Sequence, residues 1–411
     1  AILYLLAAER LKHLFIARWF LTRINTLGLQ GMSDTDPAPD IYAGYRHLRD
    51  NAPVSRVETD GPWQVSRHAE VHSVLRDHAT FSSEVSIQPP EERNQPSMLF
   101  SDPPVHHRLR KLVSSAFKPS HIERQTERIQ ARARSLIKAL PYDRPVDLVT
   151  TLAAPLPVMV IAEMLGVEDG NLLTFKHWSD AIFSNIGDIL FGTPSAEAQK
   201  AASEMDQYFL EQIEDIRARP QDHLLGRLVA TKTEDGHLTN DELLSFCRLL
   251  LIAGNETTTG LITASARIFH EFPETLQRLN QNSDLIPTFI EEALRYYSRF
   301  SATVRRTTKA VDLAGIKIPE GDLVLPLMAS ANRDERVFDN PDHFQIDRNP
   351  NPHLALGFGI HFCLGAHLAR LEGKIAAEQL AQRFSSIRMA DASTTDVGGL
   401  GGPKKMMVVL N

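Results

Sequence analysis

One segment of this 411-residue chain determines the structure to be expected: Leu356-Gly-Phe-Gly-Ile-His-Phe-Cys363-Leu-Gly-Ala-His-Leu-Ala-Arg370. Glycines stand on both sides of Cys363, at positions 357, 359 and 365, and an amphipathic helix begins directly after the last of them. A cysteine at a helix N-terminus lies at the positive end of the helix dipole, near unpaired backbone N–H groups, and both features lower the pKa of its thiol. Glycines also let a backbone approach a flat ligand closely. The spacing therefore predicts a metal-binding thiolate rather than a buried cysteine in a tight turn.

The cysteine count limits the kind of metal site. The chain has only two cysteines, Cys247 and Cys363, so disulfides are not its stabilising framework, and a reducing cytoplasm is the expected compartment. A single cysteine without a second one nearby cannot build a zinc or iron–sulfur site. One thiolate is, however, a complete protein ligand set for a haem iron.

Composition and charge argue against several classes of protein. The chain is 43% hydrophobic and 23% charged, which is ordinary for a globular protein. Its formal net charge of −7 argues against a nucleic-acid-binding surface, so we expect no nucleic-acid partner. No stretch approaches the roughly 20 apolar residues that span a bilayer.

The first 31 residues have a pattern of their own. Apolar residues occur at helical spacing between four Lys or Arg residues and the single acid Glu9. This pattern is typical of a basic amphipathic helix, either in peripheral contact with a membrane or packed on the protein surface. We favour packing, because surface helices commonly have this pattern, and we expect residues 1–31 to be a helical extension of a main domain at residues 32–411. An apolar run that begins at residue 1 is not typical of a signal peptide.

Helical periodicity dominates the rest of the chain. The strand-like runs are few and short, at residues 54–57, 63–66, 304–308, 316–318 and 323–327. Because these runs come from both ends of the chain, a sheet must pair distant segments. No repeat or linker divides the sequence, so we predict one large, mainly α-helical domain with a small β region, an α+β fold.

A second motif interrupts a long apolar helix. Ala253-Gly-Asn-Glu-Thr-Thr258 lies within a helix that begins at the capping box Thr239-x-x-Glu242. Glycine and consecutive threonines are poor helix formers, and threonine hydroxyls bond back to the preceding turn and bend a helix. The motif predicts either a functional groove or a polar stripe on a buried helix, and the residues alone do not decide between them.

A third motif completes a resemblance to a known family. Glu292-Ala-Leu-Arg295 places opposite charges on one helix face, where they can pair. The three motifs, in this order, resemble those of the cytochrome P450 family, whose haem-binding loop is Phe-Gly-x-Gly-x-His-x-Cys-x-Gly. The resemblance covers residues 35–411, and the chain departs from the loop pattern at Leu356, in place of Phe. It implies a bacterial-type, soluble haem-thiolate monooxygenase that binds haem b, with Cys363 as the metal ligand.

The resemblance also implies roles for individual residues. Thr257 holds the bound oxygen and Glu256 feeds it protons, so these two are the expected catalytic residues. Propionate groups need cationic partners, and Arg306 is the neighbour with which Arg305 is most easily confused. The expected cofactor-binding residues are His106, Arg110, Arg305, His361, Cys363, Ala253, Gly254, Gly357, Phe358 and Gly365.

The Glu292–Arg295 pair is a buried structural element in the family. Its usual third partner is an arginine in a Pro-x-Arg-Phe segment, and His343 stands at that position here. We therefore expect Arg348 or His353 to complete the network.

The resemblance implies external electron donors, because the chain has no flavin, nicotinamide or iron–sulfur motif. A ferredoxin and an NAD(P)H-dependent ferredoxin reductase are the expected partners, with O₂ and a hydrophobic small molecule as substrates. A basic docking surface is predicted from Arg108, Lys111, Lys118, Arg370 and Lys374. The substrate pocket is expected from residues 83–99, 175–191, 249–254 and 300–303, with an apolar ceiling that includes Phe175 and Trp178.

Two other functions fit the same loop. One is a peroxygenase that uses hydrogen peroxide directly, against which the Glu256–Thr257 pair argues, because that pair suits oxygen activation. The other is a haem protein that binds ligands without turnover. The substrate could be a terpene, a steroid, a fatty acid or an aromatic compound, and the sequence does not distinguish them.

Overall fold

The structure is a computed structural model that describes residues 41–57, 61–85, 97–167, 171–183, 195–234, 236–298, 301–390 and 403–411. The helices are α1 (Ile41–Asn51), α2 (His68–Arg76), α3 (Val105–Ser114), α4 (Pro119–Glu123), α5 (Thr126–Ala139), α6 (Pro155–Leu165), α7 (Leu172–Phe183), α8 (Ala196–Ala218), α9 (Leu224–Ala230), α10 (Asn240–Glu271), α11 (Pro273–Gln281), α12 (Ile286–Tyr296), α13 (Met328–Ala331) and α14 (Ala366–Arg383). The predicted extension at residues 1–31 lies outside the described residues, so the division at residue 32 stays a prediction.

The strands are short and few, as predicted. They are β1 (Val54–Arg56), β2 (Trp63–Val65), β3 (Phe81–Ser82), β4 (Pro145–Asp147), β5 (Lys232–Thr233), β6 (Gly236–His237), β7 (Arg305–Thr307), β8 (Val311–Leu313), β9 (Ile316–Ile318), β10 (Leu323–Pro326), β11 (Ile387–Met389) and β12 (Met407–Leu410). Each of the five predicted runs contains a strand. The predicted mainly helical α+β fold is confirmed.

The sheets pair distant parts of the chain. The largest described sheet has the strand order β1-β2-β10-β7-β3, and β10 lies parallel to β2 with Val324 opposite Trp63. This confirms the expected pairing of the two ends of the chain. The sequence did not predict the three-stranded sheet β11-β12-β4, in which strands of three or four residues join residues 145–147 to the end of the chain.

The long helix α10 runs through the core and carries the second motif. It packs against α6, α12 and α14. The predicted capping box is present, because the Thr239 hydroxyl accepts from the Glu242 N–H (3.2 Å) while the Glu242 carboxylate accepts from the Thr239 N–H (2.9 Å). No described helix is long and apolar enough to cross a bilayer.

A buried ion network supports the region behind the third motif. Glu292 and Arg295 are fully buried and joined by two hydrogen bonds of 2.7 Å. Arg348 is the third partner, since its Nε donates to both Glu292 oxygens at 3.1 Å. His343 contributes only its carbonyl oxygen to the two arginines, and His353 pairs with Glu291 instead. Of the two expected substitutes for the missing arginine, the structure therefore selects Arg348.

Candidate functional site

The glycine–cysteine loop is fixed by its backbone. Gly357 and Gly359 both have φ of 73°, a left-handed conformation that residues with a side chain rarely adopt. A Cβ atom at Gly359 would lie 2.7 Å from the carbonyl oxygen of Leu75 in α2. The Cys363 N–H donates to the Leu356 carbonyl oxygen (2.9 Å), and α14 begins at Ala366. The loop thus places Cys363 directly before a helix, as predicted.

The expected low pKa of the Cys363 thiol was wrong in its net direction. Burial is the largest influence and raises the pKa of this thiol. A hydrogen bond with the Gly365 backbone and the charges of Arg110 and Arg370 lower the pKa, but by less. The helix N-terminus alone therefore does not produce a thiolate here. A bound metal ion does so, because a coordinating thiol is deprotonated outright.

Four basic residues come together beside the loop, and we call them the cationic cradle: His106, Arg110, Arg305 and His361. The rings of His106 and His361 lie 4.2 Å apart between centroids. Arg110 follows His106 by one turn of α3, and its Nη2 donates to the Phe362 carbonyl oxygen (2.7 Å). Arg305 of β7 is buried, and its charge reaches His361. The structure brings these four predicted residues together, and their binding of a cofactor stays a prediction.

The cationic cradle has an excess of positive charge. Burial and the charge of Arg110 lower the pKa of His106 to about 4, and burial and the charge of Arg305 lower that of His361 to about 3. Burial also lowers the pKa of Arg305 to about 10, against the opposing charge of Asp102. Neither ring nitrogen of the buried His106 has a hydrogen-bond partner among the described residues. Buried donors and charges of one sign fit an anionic ligand.

The second motif lies within the uninterrupted helix α10, so the choice between a functional groove and a polar stripe stays open. The Thr257 hydroxyl donates to the Ala253 carbonyl oxygen (2.7 Å), the bond to the preceding turn that the sequence predicted. Ala253 is exposed on this side of the helix. Gly254 has a packing role, because a Cβ atom there would lie 2.8 Å from Ile161 Cδ1 of α6. Its expected place beside bound oxygen stays a prediction.

Glu256 is set up to hold a proton. Burial is the main cause that raises the pKa of its carboxyl group, and the charge of Asp180 raises it further. The charges of Lys176 and Lys404 act in the opposite direction without cancelling the shift. A partly buried carboxyl group with a raised pKa, one residue from a hydroxyl, is typical of a general acid.

Comparisons with known proteins decide the family. Residues 63–397 match the family model described as "Cytochrome P450". The chain belongs to the cytochrome P450 family. A P450 of Bacillus spizizenii, cytochrome P450 109, is 39% identical over 84% of this chain and 85% of its own length. The putative cytochrome P450 YjiB of Bacillus subtilis is 37% identical over 89% of this chain and 93% of its own length.

Solved P450 structures show the same fold. The structure of substrate-free CYP109E1 from Bacillus megaterium has a TM-score of 0.83 and 37% identity, covering 90% of this chain and 98% of that one. CYP109Q5 from Chondromyces apiculatus has a TM-score of 0.83 and 34% identity, covering 90% and 95%. The chain is thus a P450 monooxygenase of bacterial type, an oxidoreductase with haem b as cofactor.

The residues present fit a haem. A P450 haem needs one thiolate and cationic partners for two propionates. Cys363 stands at the start of α14, and the cationic cradle beside the loop has charges of one sign and two unpartnered nitrogens on His106. An anionic cofactor would supply what the cradle lacks.

The structure also describes the surroundings of two further residues of the P450 site, Phe358 and Arg306. The Phe358 ring lies 4.0 Å from that of His72 in α2, so its haem contact stays a prediction. Arg306 donates to the Gly321 carbonyl oxygen (3.0 Å) and is more exposed than Arg305, which makes Arg305 the cradle residue.

The predicted apolar ceiling was wrong for two aromatic residues of α7. Phe175 packs at 6.1 Å between ring centroids on Phe209 of α8, and Trp178 packs on Tyr208 and donates to Glu204 (3.1 Å). Both belong to the hydrophobic core between the two helices. Of the other predicted pocket segments, residues 86–96, 184–191 and 300 lie outside the described residues.

The predicted basic surface is only partly free of acidic partners. Arg108 pairs with Glu242, and Arg370 pairs with Glu291 through two bonds of 2.6 and 2.8 Å. The other three residues of the predicted surface, Lys111, Lys118 and Lys374, are exposed.

Sequence reasoning missed two polar contacts of the site. The Ser83 hydroxyl lies 2.9 Å from His361 Nε2, and the Asn255 amide donates to the Ser179 hydroxyl at 2.9 Å. These partners lie 278 and 76 residues apart in sequence. No local pattern could have indicated either pair.

Proposed function

We propose that this P450 inserts one oxygen atom from O₂ into a hydrophobic organic substrate, with electrons from a ferredoxin and an NAD(P)H-dependent reductase. The observation that carries the proposal is the pair of consecutive α10 residues Glu256 and Thr257, a carboxyl group with a raised pKa followed in the chain by a hydroxyl. The haem, when bound, supplies an oxygen-activating iron, and a thiolate ligand favours O–O cleavage.

Cofactor binding is assigned to the loop and the cationic cradle. Cys363 would be the iron ligand, and the four cradle residues would bind the propionates. Gly357, Phe358 and Gly365 would line the loop side, as the family pattern implies. The unpartnered His106 nitrogens support this assignment, because buried polar groups without partners are costly unless a ligand satisfies them.

The catalytic roles follow from the proton chemistry. Glu256 would be the proton donor, since burial raises the pKa of its carboxyl group and so favours the protonated form. Thr257 would orient that proton toward oxygen, while Ala253 and Gly254 would leave space beside it. Proton delivery by a positioned acid is worth roughly 100-fold or more in rate.

We include a substrate of steroid size in the proposal. CYP109E1, 36% identical to this chain, has been solved in complex with testosterone and in complex with corticosterone. A mutant of EryK, 34% identical, has been solved with erythromycin B. A large, apolar, polycyclic or macrocyclic substrate is the class that these relatives share.

The proposal of an acidic electron donor rests on the distribution of charged residues on the protein. The chain carries a net charge of −7, yet three exposed lysines (Lys111, Lys118 and Lys374) lie on α3, before α4 and on α14, the elements that flank the loop. A local basic surface on an acidic protein would steer an acidic ferredoxin to this side. Cytoplasmic location belongs to the same proposal, since both cysteines are free.

The test begins with the reduced protein under carbon monoxide. We expect a strongly red-shifted Soret band, which Cys363→Ala should abolish. Testosterone should then shift the spin state and be hydroxylated in the presence of NADPH, ferredoxin and reductase. A band typical of histidine-ligated haem would overturn the thiolate assignment. Turnover with hydrogen peroxide, but none with O₂ and electrons, would favour the peroxygenase function instead.

A further inference from the structure

A buried polar contact joins α10 to α7 beside the proposed proton donor. The Asn255 side-chain amide donates to the Ser179 hydroxyl at 2.9 Å, and the two residues are 2% and 1% exposed. The Asn255 Oδ1 atom is buried and has no hydrogen-bond partner among the described residues. Asn255 directly precedes Glu256, so this contact holds the backbone from which the acid projects.

The residue of α7 that follows Ser179 contributes to the charge around Glu256. Asp180 follows Ser179, and its carboxylate binds Lys176 Nζ at 2.7 and 2.9 Å. The charge of Asp180 raises the pKa of Glu256, and the charges of Lys176 and Lys404 lower it. One helix therefore provides both the contact to Asn255 and most of the charged groups around the acid.

The buried side of α7, on which Ser179 lies, is also held by apolar packing. Phe175 and Trp178 pack against Phe209 and Tyr208 of α8. If α7 moved together with α8, the position of Asp180 relative to Glu256 would change. The Asn255–Ser179 contact would oppose this change, because α10 would then move together with α7. The Asn255–Ser179 hydrogen bond joins α7 to residues 253–257 of α10.

We propose that Asn255 and Ser179 are positioning residues that keep Glu256 in a fixed place relative to the charges of α7 and so control proton delivery to bound oxygen. This inference rests on the proposed function. It adds two residues to the proposed catalytic machinery, neither of which touches the reacting atoms. Loss of the contact should change how protons reach oxygen while leaving the haem and its ligand in place.

The chain offers a matched control on the same helix. The Thr259 hydroxyl is buried and donates to the Ala153 carbonyl oxygen (3.0 Å), so it also joins α10 to a neighbouring segment. Its hydrogen-bond acceptor, Ala153, lies outside α7. Thr259→Val removes a buried hydrogen bond of the same kind, four residues beyond Asn255, at nearly constant volume.

The experiment uses the haem-loaded full chain with NADPH and a plant-type ferredoxin and reductase. Each variant is measured twice, once without substrate and once with testosterone as the probe substrate. Hydrogen peroxide released per NADPH is measured across pH for the wild type, Asn255→Leu, Ser179→Ala, the double variant and Thr259→Val. We expect a rise of about fivefold in Asn255→Leu, the change associated with one lost buried hydrogen bond, and a displaced pH profile. In Ser179→Ala the peroxide released per NADPH should also rise. In the double variant it should rise no further than in the more strongly affected single variant.

A second measurement does not depend on turnover. Amide hydrogen exchange of α7 and of residues 253–257 should become faster in Asn255→Leu and Ser179→Ala, but not in Thr259→Val. Haem content and the carbon monoxide band should match the wild type in all variants.

Two results would overturn the inference. One is an unchanged peroxide ratio in both single variants, and the other is an equal rise in Thr259→Val, which would indicate a general packing effect. Failure of the proposed function is recognised separately, because the wild type itself would then lack the red-shifted carbon monoxide band or would form no product from testosterone with O₂, NADPH, ferredoxin and reductase.

Discussion

At the scale of single residues, Thr257 is the group whose chemistry can be tested most directly. Its hydroxyl donates to the Ala253 carbonyl oxygen and is adjacent to the Glu256 carboxyl group. Thr257→Ala removes the hydroxyl, so we expect product formed per NADPH to fall about tenfold while hydrogen peroxide rises. Product and peroxide are quantified together with NADPH consumption.

The conservative variant separates chemistry from packing. Thr257→Ser keeps a hydroxyl at the same position and should recover most of the product yield. If Thr257→Ala couples electron use to product as well as the wild type does, the proton-delivery role of this residue is wrong.

A second residue, Glu372 of α14, should make stability depend on pH. It is 1% exposed, one carboxylate oxygen has no partner among the described residues, and burial raises its pKa to about 8. Between the ordinary glutamate pKa of 4.5 and about 8 the folded protein binds more protons than the unfolded chain, so the free energy of unfolding falls as pH rises. The loss is up to about 3 kcal/mol near pH 7, at about 1.4 kcal/mol per pH unit.

Glu372→Gln removes this titration. We expect urea unfolding of the variant to show a higher free energy of unfolding at pH 8 than the wild type, and a difference near zero at pH 4.5. Glu378→Gln, at a less buried position of the same helix, should leave the pH dependence as it is. A variant that is equally destabilised at both pH values would show that the carboxyl group is paired or hydrated.

At the scale of elements, the contact between the haem-binding loop and α2 depends on one glycine. A Cβ atom at Gly359 would lie 2.7 Å from the Leu75 carbonyl oxygen, and backbone atoms cannot rotate away as a side-chain end can. Gly359→Ala should therefore displace the loop and lower the haem bound per protein. Gly321 has a similar φ of 82° with no atom within 4 Å of its Cβ position, so Gly321→Ala measures the conformational strain alone, about 1–2 kcal/mol.

The comparison is made by haem content and by urea unfolding of both variants. Equal losses in the two variants would show that the left-handed conformation, and not the approach of α2, decides the effect.

Element-scale features were the most predictable from sequence. The capping box, the cysteine loop and the Thr257 bond to the preceding turn all lie within windows of a few residues, where local chemistry determines structure. The network partner Arg348 was one of two open alternatives, because it lies 56 residues from Glu292 and only tertiary packing brings them together. The pKa direction of Cys363 was wrong for the same reason, since burial is a property of the whole fold.

At the scale of the whole molecule, the cationic cradle collects residues from three separate parts of the chain. His106 and Arg110 come from α3, Arg305 from β7 and His361 from the loop before α14. These positions could be predicted only from the resemblance to a family, because no local periodicity links them. The positive charge of Arg110 and Arg305, with Asp102 as the opposing acid, comes to lie beside the two histidines only when the elements are assembled.

Because folding assembles the positive charge of the cationic cradle, we expect bound haem to stabilise the folded protein. A cofactor that binds only the folded state stabilises it by about 4 kcal/mol at a thousandfold excess over its dissociation constant. Removing the haem should therefore lower the thermal midpoint. It should also make the apoprotein acid-sensitive, because the folded-state pKa of His106, about 4, lies below its ordinary 6.5. Between these values the unfolded chain binds the extra proton, so stability is lost as pH falls from 6.5 to 4.

Two neighbouring arginines provide a test of haem binding by the cationic cradle, one as the variant and the other as its control. Arg305 belongs to the cationic cradle, whereas Arg306 donates to the Gly321 carbonyl oxygen. Arg305→Ala should speed haem transfer to apomyoglobin about tenfold, since a buried, charge-assisted partner of an anionic group is lost. Arg306→Ala should leave the transfer rate near that of the wild type. Equal rates in both variants would remove Arg305 from haem binding, and the positive charge of the cradle would then have to serve another anion.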